Sequence, residues 1–299
     1  MWESTGWGNP ELGQGAMEAI PDRMIGVSES SRANLDEGPR IVIDLRDVES
    51  TTAAPAEPAG DRWRGVDLVS DDHPRPAYWL AKRALDVVAV LLVVPVAVPV
   101  VLLLALAIKL DSPGPVLFRQ ERIGARRVRT DRGLTWRLRS FQFLKLRTMY
   151  HDSDPSIHEQ YMSAYISGDE GQMSDIRSGV EGTYKMELDP RITRVGKTLR
   201  RLSLDELPQL WNILVGQMSI VGPRPPIPYE VEKYAPSDLR RLGSIPGLTG
   251  WWQVNGRSET TFEEMIALDL EYLRRQSLGL DLQIILKTLP AALEGRGAG

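Results

Sequence analysis

Apolar and polar positions divide this chain into a polar front, one long apolar run and a mixed remainder. From Val87 to Ile108 no side chain is charged, and Lys109 closes the run. A helix needs about 20 apolar residues to cross a bilayer, so this stretch is long enough. Tyr78, Trp79, Lys82 and Arg83 precede it as aromatic and basic anchors of the kind found at a membrane interface. Pro95 and Pro99 each delete a helical hydrogen bond and clash one turn back, which predicts a kink near the middle. With cations at both ends, such a segment either spans the bilayer or enters and leaves through one leaflet. Spacing does not choose between the two.

Beyond the stop at Asp111-Ser-Pro-Gly-Pro115 the period changes. Alternation in Val116–Phe118 and Trp136–Phe143 predicts a β-hairpin joined by the basic loop Arg122–Arg129. Residues 150–188 are polar, with amphipathic helical character around Ile157–Ile166, and read as a surface excursion. Helices are expected at Lys197–Leu202, Tyr229–Tyr234, Pro236–Leu242, Phe262–Arg275 and Leu280–Leu293. In the last two, Met265, Leu268, Leu273, Ile284, Ile285 and Leu289 recur at helical spacing.

Charge sharpens this outline. The net charge of -4 carries no nucleic-acid signature, yet residues 1–80 hold 15 acidic against 7 basic side chains. Residues 109–148 reverse this, with 11 basic against only Asp111, Glu121 and Asp131. A basic segment directly after a long apolar run reads as a juxtamembrane patch facing anionic lipid headgroups. The front, rich in Gly, Pro, Ser, Glu and Asp, reads as largely disordered apart from the β-like run Ile41–Arg46, and lacks the basic and apolar regions of a secretory signal. The absence of cysteine rules out disulfides, thiolate metal sites and thiol catalysis. His73, His151 and His158 are too scattered for a histidine metal site. The expected architecture is therefore α+β and membrane-associated. Residues 1–75 form a largely disordered acidic segment and 76–110 a kinked membrane-anchoring helix. A compact helical domain with a small β-hairpin fills 111–293, and 294–299 are a tail.

The chemistry concentrates between Ser203 and Pro226. Asp205 and Glu206 open a short apolar helix, Arg191, Arg194, Lys197, Arg200 and Arg201 precede them, and the loop Gly222-Pro-Arg224-Pro-Pro226 follows. Carboxylates framed by cations suit an anionic substrate, such as a phosphate held with a divalent metal. Ser203-x-x-Glu206 also fits a purely structural capping box. Pro208 argues against that register and favours Asp205 as the N-cap, where the helix dipole would keep its carboxylate ionised. Alone, an Asp-Glu pair is commonly a solvated helix start, and the proline loop or Asn255-Gly-Arg257 could be simple turns.

Seven ordered motifs settle the balance. They are Lys82-Arg83-x-x-Asp86, Ile108-Lys-Leu-x-Ser-Pro-Gly-Pro-Val-x-Phe-x-Gln-x-Arg122-x-Gly124, Lys145-x-Arg-Thr-Met149, Asp189-Pro-Arg-Ile-Thr-Arg-x-Gly196, Leu199-Arg-Arg-x-Ser-Leu-Asp-Glu-Leu-Pro-Gln-Leu-x-Asn212, Met218-Ser-x-Val-Gly-Pro-Arg-Pro225 and Pro246-Gly-x-Thr-Gly-Trp-x-Gln-Val-Asn-Gly-Arg257. From Lys82 to about Leu289 the chain resembles the bacterial sugar transferase family, the monotopic phosphoglycosyl transferases.

The resemblance implies transfer of a sugar-1-phosphate from a UDP-sugar to polyprenyl (undecaprenyl) phosphate, with release of UMP, as the first membrane step of exopolysaccharide, capsule or other glycoconjugate synthesis. It implies Asp205 as nucleophile through a covalent aspartyl-phosphosugar, and Glu206 as the Mg²⁺ ligand. It further implies Lys145, Arg200, Arg224 and Arg257 as phosphate- or nucleotide-binding residues, with Asp269 also in the site. The implied setting is the cytosolic face of a bacterial inner membrane, with membrane lipid as a partner and the apolar segment re-entrant. The expected break falls at Val98-Pro99, where valine replaces the family's serine; Leu146 stands where an aromatic is usual. A homo-oligomer is left open, as is the sugar. Two other classes stand beside this reading: an inactive scaffold of an assembly complex, and an aspartyl-phosphate phosphohydrolase, although the Asp-x-Asp-Thr run of the common phosphatases is missing.

Overall fold

The uncharged run lies within one long helix. In the computed structural model, which describes residues 41–43, 67–70, 76–130, 133–154, 156–179, 189, 191–256 and 260–293, α1 covers Pro76–Asp111 with Pro95 and Pro99 inside it. All these residues belong to a single unit, Glu37–Gly299. One stripe of α1 is covered by protein: Lys82, Asp86, Val90, Ala97 and Ile108 are buried, and Val94, Val101 and Leu104 pack beside them. Their steps of three and four residues define one helix face. The opposite face, including Leu91, Leu92, Val96, Leu102, Leu103 and Leu106, is exposed.

Two short strands, β1 (Ile41–Ile43) and β2 (Asp67–Ser70), come from the front of the chain, the rest of which lies outside the described residues. They join a long hairpin, β3 (Leu117–Thr130) and β4 (Gly133–Leu146), in an antiparallel sheet of order β1-β2-β4-β3. The hairpin is longer than expected, and Arg122–Arg129 belongs to β3 rather than to a loop. The reason is the pleat: Ile123 and Ala125 are buried on the inner face, while Arg126, next along the strand and on the other face, is exposed. Arg127, on the inner side, lies 5.2 Å from the Trp79 ring and 6.0 Å from that of Trp136, so its stem serves as core.

After the hairpin come α2 (Ser156–Ser167), α3 (Glu170–Gly179) and α4 (Arg194–Arg201). Residues 156–167 are no mere surface excursion. Tyr161 and Ala164 are buried, and the Tyr165 ring packs edge-on to Phe262 at 6.0 Å. A 3₁₀ turn (Leu204–Glu206) and α5 (Gln209–Leu214) follow, then β5 (Ser219–Val221), α6 (Pro228–Val231), a second 3₁₀ turn (Asp238–Leu242) and β6 (Gly247–Thr249), which pairs in parallel with β5. The short α7 (Trp251–Asn255) leads into α8 (Phe262–Arg275) and α9 (Leu278–Leu293).

The main core lies between the inner face of the hairpin and α6, the second 3₁₀ turn and α8, with Leu138, Val231, Leu242, Ile266 and Leu270 among its members. Buried polar groups then bolt α1 to this body. Lys82 is paired with Asp281 of α9 at 2.9 Å, with neither side chain appreciably exposed. Asp86 accepts from the Ile220 amide at 2.9 Å and the Ser219 hydroxyl at 3.0 Å. At the other end the Asp111 carboxylate accepts from Val195 N–H at 3.1 Å, at the start of α4.

Candidate functional site

The site forms where α4, the first 3₁₀ turn, the end of β4 and the loop after β5 converge. Helix α4 is capped by Thr193, whose hydroxyl accepts from Gly196 N–H at 3.0 Å. Gly196 sits so close to the chain that a Cβ there would lie 2.1 Å from the Thr148 carbonyl oxygen. This close approach brings Arg200 Nε to the Thr148 hydroxyl at 2.8 Å, next to Lys145 on β4.

Ser203 then turns the chain. Its φ of 53° is the one positive value outside glycine among the described residues, a strained setting that recurs at functional sites. Its hydroxyl makes no capping bond, so the capping-box reading does not hold. Nor is Asp205 the N-cap of an α-helix. It lies inside the 3₁₀ turn, and α5 begins at Gln209 behind Pro208. Proline supplies the reason: it has no N–H to reach back to the Leu204 carbonyl. The chain therefore closes a tight turn through Leu207 N–H to Leu204 at 3.4 Å and restarts its helix beyond the proline.

Behind this turn α5 is clamped. Asn212 donates to the Gln142 carbonyl at 2.8 Å and accepts from Leu144 N–H at 3.2 Å on β4. Arg83 of α1 donates to the carbonyls of Ile213 and Leu214 at 2.5 and 2.6 Å, satisfying the helix C-terminus.

The Arg224 loop is clamped as well. β5 and β6 come so close that a Cβ on Gly222 would lie 2.3 Å from the Ile245 carbonyl oxygen. Arg122 donates to the Pro225 carbonyl at 2.8 Å, and Ile123 N–H to that of Pro226 at 2.9 Å. Arg241 donates to the Arg224 carbonyl at 3.2 Å and is itself gripped by Asp269 at 2.6 and 2.8 Å.

With both clamps in place, Arg224 Nη1 lies 3.9 Å from Glu206 Oε1, each side chain about one-third exposed at 36% and 31%. Asp205 is 8% exposed and has no hydrogen-bond or ion-pair partner among the described residues. Burial pushes the Glu206 carboxyl above its usual range, with Arg224 opposing and Asp205 reinforcing the shift. Burial pushes the Lys145 ammonium down to about 8; Arg200 adds to this and Asp205 counters it. Arg122 is likewise pushed down to about 10 by burial. Lys145, Arg200, Arg224 and Arg122 thus share one electrostatic neighbourhood with the two carboxylates. It can draw in a polyanion while leaving the Asp205 oxygens unengaged.

Of the residues expected in the site, Asp205, Glu206, Lys145, Arg200 and Arg224 come together. Arg257 lies outside the described residues. Asp269 is wholly buried and holds Arg241, whose guanidinium in turn donates to the Arg224 carbonyl. Arg241 itself was not singled out by sequence, and Arg122 carried no role; a buried arginine gives no sign of its partner along the chain. His158, read only as a stray histidine, also comes to this neighbourhood, with Nδ1 2.6 Å from the Tyr229 hydroxyl.

Comparison with known proteins decides the family. The profile described as bacterial sugar transferase matches residues 77–295. The chain belongs to the bacterial sugar transferase family. Among curated members of that family, it is 41% identical over 228 residues to a UDP-glucose:undecaprenyl-phosphate glucose-1-phosphate transferase of Caulobacter vibrioides, covering 74% of this chain and 72% of the relative. It is 38% identical over 224 residues to the exopolysaccharide production protein ExoY of Rhizobium meliloti, covering 75% and 90%. An undecaprenyl-phosphate galactose phosphotransferase of Salmonella typhimurium is 33% identical over 217 residues, which are 73% of this chain but 41% of that larger sugar transferase.

Proposed function

We propose that this sugar transferase moves a sugar-1-phosphate from a UDP-sugar to a polyprenyl phosphate, releasing UMP, in two displacements through a phosphosugar ester on Asp205. The observation that carries the reading is Asp205 itself: a carboxylate without a partner among the described residues, beside four cations, in a chain whose relatives include enzymes named for these substrates.

Lys145, Arg200 and Arg224 hold the diphosphate and spread its charge, and Arg257 is assigned with them. Phosphoryl transfer asks mainly for such positioning and neutralisation. An Asp205 oxygen attacks the sugar-proximal phosphorus; the bond to the bridging oxygen breaks, and UMP departs with the electron pair. A polyprenyl phosphate oxygen then attacks the same phosphorus, and the Asp205 carboxylate is regenerated. No group of three or more His, Asp or Glu side chains that could cage a metal occurs among the described residues. That suits Mg²⁺, which is held by one or two carboxylates together with substrate phosphates. Glu206 would hold it, with Asp205 adjacent, and when bound it would neutralise charge on the diphosphate.

We place the active site at the cytosolic face of the bacterial inner membrane, with residues 76–110 as the anchor and 111–293 as the catalytic domain. The exposed apolar face of α1 supports contact with lipid. Both ends of α1 touch the same body, through Lys82 and Ile108. A helix that crossed the bilayer would carry these residues to opposite surfaces, about 39 Å apart at 1.5 Å per residue. A same-side, re-entrant course fits the contacts, and Pro99 would favour a bend there.

The test is UMP release. With a UDP-sugar and Mg²⁺ alone, at most one UMP per enzyme is expected; adding polyprenyl phosphate makes release continuous. Continuous release without acceptor would point to a phosphohydrolase, and none under any condition to a scaffold. A panel of UDP-glucose, UDP-galactose and N-acetylated UDP-sugars identifies the donor.

A further inference from the structure

One side chain beside the cationic pocket has no part in the phosphate chemistry. His158, in the first turn of α2, meets Tyr229 with its Nδ1 2.6 Å from the hydroxyl and the rings 6.3 Å apart, at 70° to one another. Tyr229 begins α6 just beyond the Arg224 loop, so the pair ties the α2 segment to the wall of the site. The pair lies where α2 packs on α6, directly after the Arg224 loop. Arg122 feels the Tyr229 phenol, and the His158 ring feels Arg122, Lys145, Arg224 and Arg191.

Burial, and then those four cations, push the imidazole down to about 4, so at neutral pH it is an uncharged ring. A neutral imidazole has one donor and one acceptor nitrogen. Nδ1 is committed to Tyr229. Nε2 has no partner among the described residues and is not sealed within the protein. A neutral imidazole nitrogen adds no charge to the phosphate-binding cations around it. It matches instead a neutral group carrying hydroxyls.

We propose that His158, oriented by Tyr229, hydrogen-bonds the sugar ring of the UDP-sugar and helps set which sugar is transferred. This rests on the transferase reading above. Two parts of a UDP-sugar are neutral and rich in hydrogen-bonding groups, the sugar and the uridine. The sugar is joined through one oxygen to the phosphorus that Asp205 attacks, whereas the base is a second phosphate and a ribose further away. Tyr229, which holds His158, follows directly on the loop that brings Arg224 to 3.9 Å from Glu206, and on that geometry the histidine is assigned to the sugar. A site that hydrogen-bonds one hydroxyl rejects analogues that leave its polar atom unmatched.

The experiment compares kcat/KM for UDP-glucose, UDP-galactose and their N-acetylated forms in the membrane-embedded full chain, with inhibition by UMP measured alongside. His158→Ala should lose about tenfold or more on the preferred sugar, the worth of one hydrogen bond. Its preference among sugars should shrink toward unity while UMP inhibition is unchanged. Tyr229→Phe should move the same way by less, and His158→Asn should recover part of the preference. Should His158→Ala fail to fold, the other two variants carry the test. An equal loss on every sugar, an unchanged preference, or weakened UMP inhibition would overturn the proposal. So would a wild-type enzyme indifferent to the sugar. None of these results touches the nucleophile assignment, which fails separately if Asp205→Asn still turns over.

Discussion

Arg241 and Asp269 form an ion pair of 2.6 Å, both side chains almost wholly shut off from solvent at 2% and 1% exposure. The same guanidinium donates to the Arg224 carbonyl and the Tyr234 hydroxyl. The loop that carries Arg224 thus depends on a charge pair its own sequence does not contain. Breaking such a pair leaves a buried charge uncompensated, at about 3–5 kcal/mol. Asp269→Ala should therefore lower the unfolding temperature markedly. In the fraction that remains folded, KM for the UDP-sugar should rise, because Arg224 is no longer held. A folded, stable variant with unchanged KM would show that Asp269 does not position the loop.

Lys145 should make donor binding depend on pH. Its ammonium is pushed down to about 8 by burial first and then by Arg200. As pH rises through 8 the charge is lost, so KM for the UDP-sugar should climb and level off about 10- to 100-fold higher, the worth of a charge-assisted hydrogen bond. Lys145→Met should show the raised KM at pH 7 and no further rise above pH 8. Stability runs the opposite way. The folded chain releases this proton before the unfolded one, whose lysine titrates near 10.5, so Lys145 costs stability below about 8 and that cost fades as pH rises toward 10.5. A flat KM from pH 7 to 9.5 in the wild type contradicts the assignment.

The course of α1 can be read by labelling, since the chain has no cysteine of its own. Leu80 and Leu110, near its two ends, are 74% and 80% exposed. Single cysteines at these positions should both react with a membrane-impermeant maleimide from the cytosolic side. Labelling from opposite sides would establish a spanning helix.

Features written locally were legible from sequence. The uncharged run marked α1 because a bilayer-length apolar segment stands out on its own, and α8 and α9 followed from apolar spacing. The family motifs implied both Glu206 and Arg224 as site residues, and their side chains lie 3.9 Å apart. What escaped depends on partners far along the chain. Arg122–Arg129 looked like a basic loop because the aromatic residues that cover Arg127 lie on α1 and β4. The pairing of Asp269 with Arg241 escaped because the two stand 28 positions apart. The helix start was misplaced by one turn because Pro208 was weighed as a helix position, when its effect is to force a 3₁₀ turn before it.

The covalent step at Asp205 is the centre of the account, and mass spectrometry tests it most directly. The full-length enzyme is incubated with its UDP-sugar and Mg²⁺ without acceptor, and then digested. The peptide containing Asp205 should gain the mass of one sugar phosphate, lose it on addition of polyprenyl phosphate, and never gain it in Asp205→Asn, which should release no UMP. Turnover by Asp205→Asn, or an adduct on any other residue, would contradict it.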